Sequence, residues 1–83
     1  MNITVYEKRN CTDCADTKQD LKDRGLGFNV ISLEDNLSTL KSFRERGFKQ
    51  APIVETDNEV WSGYNPLKIA RLASNEDEDS IWE

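Results

Sequence analysis

Apolar and polar residues alternate from the start of the chain: Ile3 and Val5 share one face, Thr4 and Tyr6 the other. With its β-branched content this run reads as a strand. Residues 7–10 are polar and read as a loop. Residues 12–24 lack Gly and Pro and suit a helix, with a narrow apolar face of Ala15, Lys18 and Leu21, and Cys14 and Thr17 on neighbouring turns. Gly25 stands where a left-handed residue ends such a helix. Phe28 to Leu33 reads as a second strand. Its apolar groups on both faces predict an inner strand covered on two sides. Asp35 or Asn36 can cap a second helix, whose Leu37, Leu40 and Phe43 are spaced by three and which stops at Gly47. Ile53-Val54, after Pro52, and Val60-Trp61 flank an Asp57-Asn58 turn signal and read as an antiparallel hairpin. Asn65-Pro66 opens a third helix carrying Leu67, Ile69, Ala70, Leu72 and Ala73.

The predicted order is βαβαββα. The first two strands, joined through a helix, should be parallel with a right-handed crossover. The expected fold is α/β: a four-stranded mixed sheet with three helices, the smallest thioredoxin-like arrangement. The domain is read as residues 1–73. Residues 74–83 are read as an acidic, flexible C-terminal tail, in which Trp82 either docks or has no role.

Composition narrows the function. The 83 residues make one domain with a net charge of −5. Glu76, Asp77, Glu78, Asp79 and Glu83 supply five of the sixteen acidic residues; without them the body carries eleven of each sign. A chain with no basic cluster is a poor nucleic-acid binder, because phosphate neutralisation dominates that affinity. No apolar run reaches the length of a membrane span. Residues 1–6 lack a basic segment followed by an apolar one, so no signal peptide is read. The expected compartment is the reducing cytoplasm, where a lone C-x-x-C is redox-active or metal-binding rather than structural.

That motif is Cys11-Thr12-Asp13-Cys14, which holds both cysteines of the chain. It lies between the first strand and the first helix. Free N–H groups and the dipole at a helix N-terminus stabilise a thiolate, and Lys8 and Arg9 are near in sequence. Cys11 is therefore read as the nucleophile and Cys14 as the more buried thiol that resolves the mixed disulfide. The charge of Asp13 opposes thiolate formation. A structural zinc site usually needs four N or S ligands, and the chain has no His and no third Cys. Pro52 is a strand-start proline whose sequence alone favours trans. In thioredoxin-like folds a proline here is cis and faces the dithiol. In that case the backbone of Ala51 would pair with an extended substrate. Gly63, at a strand-to-helix junction, could take positive φ or allow close backbone approach. Trp61 and Tyr64 beside it are either partner-facing or packing residues.

Together these residues resemble the NrdH-redoxins, small glutaredoxin-like proteins with thioredoxin-like activity. The resemblance spans roughly residues 1–73. Its marks are Ile3-Thr4-Val5-Tyr6 leading to Cys11-Thr12-Asp13-Cys14, Lys18, Arg46-Gly47-Phe48-Lys49-Gln50-Ala51-Pro52, and Trp61-Ser62-Gly63-Tyr64 followed by Pro66. It implies a dithiol–disulfide oxidoreductase that donates electrons to the class Ib ribonucleotide reductase and is reduced by thioredoxin reductase. It implies no bound cofactor beyond the redox-active Cys11–Cys14 disulfide, with electrons that come ultimately from NADPH. It implies that Pro52 is cis, and that Thr12, Asp13, Ala51, Pro52, Trp61, Ser62, Gly63 and Tyr64 meet substrate or partner. A monomer with no nucleic-acid or membrane partner is expected. The sequence departs from the family at Asp13, where Gln is frequent, and at Tyr64, where Phe is. Against glutaredoxins, C-P-Y-C is absent, and Ser62-Gly63-Tyr64-Asn65 replaces the paired-glycine and acidic motif that holds glutathione; Lys8 matches a glutaredoxin lysine. The competing readings are a glutathione-dependent glutaredoxin and a non-enzymatic thioredoxin-fold module that binds a partner or bridges a metal.

Overall fold

The computed structural model describes the backbone of residues 2–82 and the side chains of residues 2–74. The elements follow the predicted order: β1 (Thr4–Glu7), α1 (Thr12–Asp23), β2 (Asn29–Ser32), α2 (Leu37–Glu45), β3 (Ile53–Glu55), β4 (Val60–Ser62) and α3 (Pro66–Trp82). The sheet order is β2-β1-β3-β4. β1 runs parallel to β2 and antiparallel to β3, and β3 and β4 form the hairpin.

Strand alternation divides the core into two layers. On one face Ile3, Val5, Val54 and Trp61 pack with Leu21 and Leu26 around α1 and with Ile69 and Leu72 of α3. On the other, Ile53 packs with Leu33 and with Phe43 of α2, joined by the half-buried Tyr6, Phe48, Ala51 and Val60. Neighbouring residues therefore serve opposite layers: Val5 and Tyr6, Ile53 and Val54, Val60 and Trp61. The Tyr6 ring meets Phe43 edge to face at 4.8 Å. Its hydroxyl donates to Glu55 Oε1 at 2.9 Å. Burial first, and then that hydrogen bond, push its phenol above the usual range.

The first two helices end alike. Beyond α1, the Leu26 N–H donates to the Leu21 carbonyl and Gly25 N–H to that of Lys22. Beyond α2, Phe48 pairs with Phe43 and Gly47 with Arg44 in the same way. These are Schellman ends, which need positive φ at the glycine; Gly25 has φ +72° and Gly47 φ +93°. Each also brings two apolar side chains together, Leu21 with Leu26 and Phe43 with Phe48. Asn65 opens α3 as expected, with its Oδ1 accepting from the Lys68 N–H at 3.2 Å.

Three expectations are corrected. β2 is an edge strand paired only with β1, and Val30 is 45% exposed. Its two-sided apolar pattern has another cause: Phe28 enters one core layer and Leu33 the other, from just outside the strand. In α2, Phe43 is buried but Leu37 is 67% exposed. Six residues at about 100° each leave the two roughly 120° apart around the helix, so spacing by three had drifted off the face. In α1 the buried stripe is Cys14, Thr17 and Leu21, spaced by three and four as one helix face requires. Ala15 is exposed. Lys18 instead pairs with Glu7 at 2.6 Å, tying α1 to the end of β1. The α3 backbone continues past Ala73 to Trp82; the readings made for the acidic side chains and for a docked Trp82 lie outside the described residues.

Candidate active site

The loop between β1 and α1 sets the site. Arg9 anchors it, with its N–H donating to Glu34 Oε1 at 2.7 Å. Asn10 then takes φ +54°, a left-handed conformation that Asn tolerates better than most residues. That turn delivers Cys11 to the N-cap position of α1 with extended backbone. Its Sγ accepts the Cys14 N–H at 3.1 Å, in the slot usually filled by a Ser, Thr, Asp or Asn oxygen. The sulfur thus sits against a free amide at the positive end of the helix dipole, as a thiolate nucleophile requires.

Cys11 and Cys14 are joined as a disulfide, with Cα atoms 5.2 Å apart. The two differ in access: Cys11 is half-buried, and Cys14 is 2% exposed inside the α1 stripe.

The segments around Pro52 and Gly63 meet through the β3–β4 hairpin. The Ala51–Pro52 peptide is cis. Ile53 is in register with Ser62, and Val54 with Trp61. One step beyond that register, the Gly63 N–H donates to the Pro52 carbonyl at 2.8 Å, with Gly63 at φ +83°. A left-handed residue there turns the chain from β4 towards α3 while keeping this bond. Ser62 and Gly63 are thereby fastened behind the proline.

A cleft of about 370 Å³ lies over Cys11, lined also by Lys8, Asn10, Thr12, Asp13, Lys49, Gln50 and Ala51. The structure thus brings Cys11, Thr12, Asp13 and Ala51 to one surface. Pro52 is buried just behind it. Trp61 is placed in the core at 6% exposure, with the Lys68 ammonium 5.5 Å over its ring. Tyr64 points elsewhere: its hydroxyl donates to Asp20 Oδ2 at 3.0 Å. The same carboxylate receives Arg24 Nε at 2.8 Å. That hydrogen bond to Asp20 is the main reason the Tyr64 phenol lies above its ordinary range.

Sequence reading missed Asn10, Lys49 and Gln50 in the cleft. The Asn before Cys11 was the available signal for the first, since Asn is favoured at positive φ. Lys49 and Gln50 come to Cys11 only through the sheet order, which no local pattern reports. Among the described residues no group of three or more His, Cys, Asp or Glu is placed to hold a metal ion. Nor is any helix long and apolar enough among them to cross a membrane.

Asp13 and the two lysines of the cleft act on Cys11 with opposite sign. Asp13→Asn is expected to lower the titration midpoint of the Cys11 thiol in the reduced protein. The direction follows from removing a like charge from the cleft that Cys11 lines. Thiolate absorbance against pH measures it; an unchanged or higher midpoint in the variant would refute the effect.

The glutaredoxin family model matches residues 3–61. The glutaredoxin-like protein NrdH of Lactococcus lactis is 34% identical over 71 residues, covering 86% of this chain and 99% of that protein. The NrdH of Escherichia coli is 35% identical over 72 residues, covering 87% and 89%. The solved structure of Escherichia coli NrdH-redoxin, a glutaredoxin-like protein with a thioredoxin-like activity profile, superimposes with a TM-score of 0.84 over 87% of this chain and 95% of that one. The Archaeoglobus fulgidus glutaredoxin, 25% identical, superimposes at 0.71 over 84% of this chain and 83% of its own.

Proposed function

The chain belongs to the NrdH-redoxins of the glutaredoxin family, thiol–disulfide oxidoreductases, and from that premise we propose that it carries electrons from thioredoxin reductase to a class Ib ribonucleotide reductase. NADPH supplies the electrons to the reductase. In this reading Cys11 attacks and Cys14 resolves. Thr12, Asp13 and Ala51 meet the partner's backbone and side chains along the cleft, and Pro52, Ser62 and Gly63 hold the cleft's shape. The protein works as a cytoplasmic monomer.

One observation carries the choice of reductant. The segment Trp61-Ser62-Gly63-Tyr64 stands where glutaredoxins hold glutathione, and here it is fastened to the rest of the fold. Gly63 is bonded to Pro52, Trp61 is in the core, and Tyr64 occupies the Asp20 carboxylate. Within this segment a small thiol would have to displace these bonds to reach the Gly63 N–H or the Tyr64 hydroxyl. A protein substrate needs only the open cleft beside Ala51. The thioredoxin-like activity profile of the Escherichia coli neighbour supports the same choice.

Lys8 and Lys49 in the Cys11 cleft favour a second reading, because two ammonium groups beside the sulfur suit the carboxylates of glutathione. The two readings separate in one experiment. Oxidised protein is incubated with NADPH and thioredoxin reductase, or with glutathione, glutathione reductase and NADPH. The expected result is rapid turnover with thioredoxin reductase and little with glutathione. Rapid turnover with glutathione alone would reverse the assignment.

A further inference from the structure

Two buried polar side-chain atoms have no hydrogen-bond partner among the described residues, Thr17 Oγ1 and Trp61 Nε1. One of them belongs to the helix that carries the resolving cysteine. Thr17 follows Cys14 by three residues, and both belong to the buried stripe of α1. Residues three apart on a helix are direct neighbours, with Cβ atoms about 5–6 Å apart. Thr17 is 0% exposed and Cys14 2%, so water does not compete between them.

A Thr inside a helix commonly turns its hydroxyl back to a carbonyl of the preceding turn. Thr17 Oγ1 makes no such bond. Leaving a hydroxyl buried and unpaired is unfavourable, and a Val of the same shape would avoid it. The sulfur beside it is committed to Cys11 in the disulfide. When the disulfide opens, that sulfur becomes free to rotate and gains the character of a thiol or thiolate, a better acceptor than a disulfide sulfur.

We propose that Thr17 is a positioning residue for the resolving cysteine: in the reduced protein its hydroxyl donates a hydrogen bond to Cys14 Sγ. The bond exists on one side of the redox reaction only, so it favours the dithiol over the disulfide. It also acts at the resolving step. There the Cys14 thiolate attacks Cys11 Sγ of the mixed disulfide, the Cys11–Cys14 bond forms, the bond to the partner's sulfur breaks, and that sulfur leaves as a thiolate protonated by solvent. The hydroxyl holds the attacking sulfur on the α1 face beneath Cys11 and releases it as the bond forms. The proposal rests on disulfide exchange at Cys11–Cys14 and not on the identity of the reductase.

The test compares wild type, Thr17→Val and Thr17→Ser. Equilibrium against mixtures of reduced and oxidised dithiothreitol gives the disulfide–dithiol constant of each. Thr17→Val is expected to move it about fivefold to tenfold towards the disulfide, the factor one hydrogen bond supplies. Thr17→Ser, which keeps the hydroxyl, should stay within about twofold of wild type. Urea unfolding of both redox forms gives a second readout: Thr17→Val should stabilise the oxidised protein and destabilise the reduced one. A packing role alone would shift both forms equally and leave the redox constant unchanged, and either result overturns the proposal. Should Thr17→Val fail to fold, Thr17→Ala answers the same question through its redox constant.

Discussion

Cys11→Ser is expected to reduce a disulfide-bonded peptide about three orders of magnitude more slowly than wild type, or worse. The thiolate is the nucleophile in disulfide exchange, and a serine hydroxyl is not ionised at neutral pH. Removing a nucleophile is the largest loss a single substitution causes in such chemistry. The protein should still fold, because a serine oxygen is a better N-cap than sulfur and can accept the same Cys14 N–H. The measurement is single-turnover reduction of the peptide by pre-reduced protein, which needs no choice of reductase. Cys14→Ser is the informative partner. Its Cys11 lines the open cleft, so the first attack proceeds, but no second thiol releases the product. A mixed disulfide should accumulate, visible as the added mass of the peptide. Trapping by Cys11→Ser instead, with loss of the first attack in Cys14→Ser, would exchange the two roles.

The contrast between the cysteines was legible in the sequence because it depends on two local rules, helix start and helix face. The order of the elements along the chain was legible for the same reason: each strand carries its own alternation, and the hairpin its own turn. What escaped was anything set by which elements become neighbours. β2 read as central because Phe28 and Leu33 are apolar on opposite sides, and nothing in residues 28–33 reports that only β1 lies beside it. Thr17 read as an accessory to a weak apolar face, and its interest lies in being fully enclosed without a partner. Trp61 could have been core or rim; its register opposite Val54 decides for the core. Tyr64 is the reverse case. As a Tyr where relatives often carry Phe, it was visible as a departure, but its partner Asp20 lies 44 positions away.

The second large effect is on stability. Leu21→Ala should destabilise the protein by about 2–5 kcal/mol, the range for emptying a fully buried leucine site. Leu21 is 0% exposed and is fixed from two directions. It packs between the sheet and α3, and its carbonyl receives the Leu26 N–H that ends α1. The surroundings cannot collapse easily onto the space it leaves. A domain of this size has little stability in reserve, in a range of roughly 5–15 kcal/mol for folded domains in general. Each kcal/mol lost lowers the melting temperature by about 4–8 °C at this length. Leu37→Ala provides the control, since that side chain is 67% exposed and should change stability by no more than about 0.5 kcal/mol. Urea unfolding of both variants measures the difference. Equal losses would mean that α2 buries Leu37 after all, and with it that the spacing-by-three reading of that helix was sound. The unequal loss has a functional side as well. α1 presents Cys11 at its first turn and is held to the sheet by Leu21 at its last, so Leu21→Ala should lose activity in step with its unfolding curve. Below the transition its single-turnover rate should stay near wild type. A rate that falls while the protein is still folded would instead show that the helix shifts on the sheet and carries the cysteine pair with it.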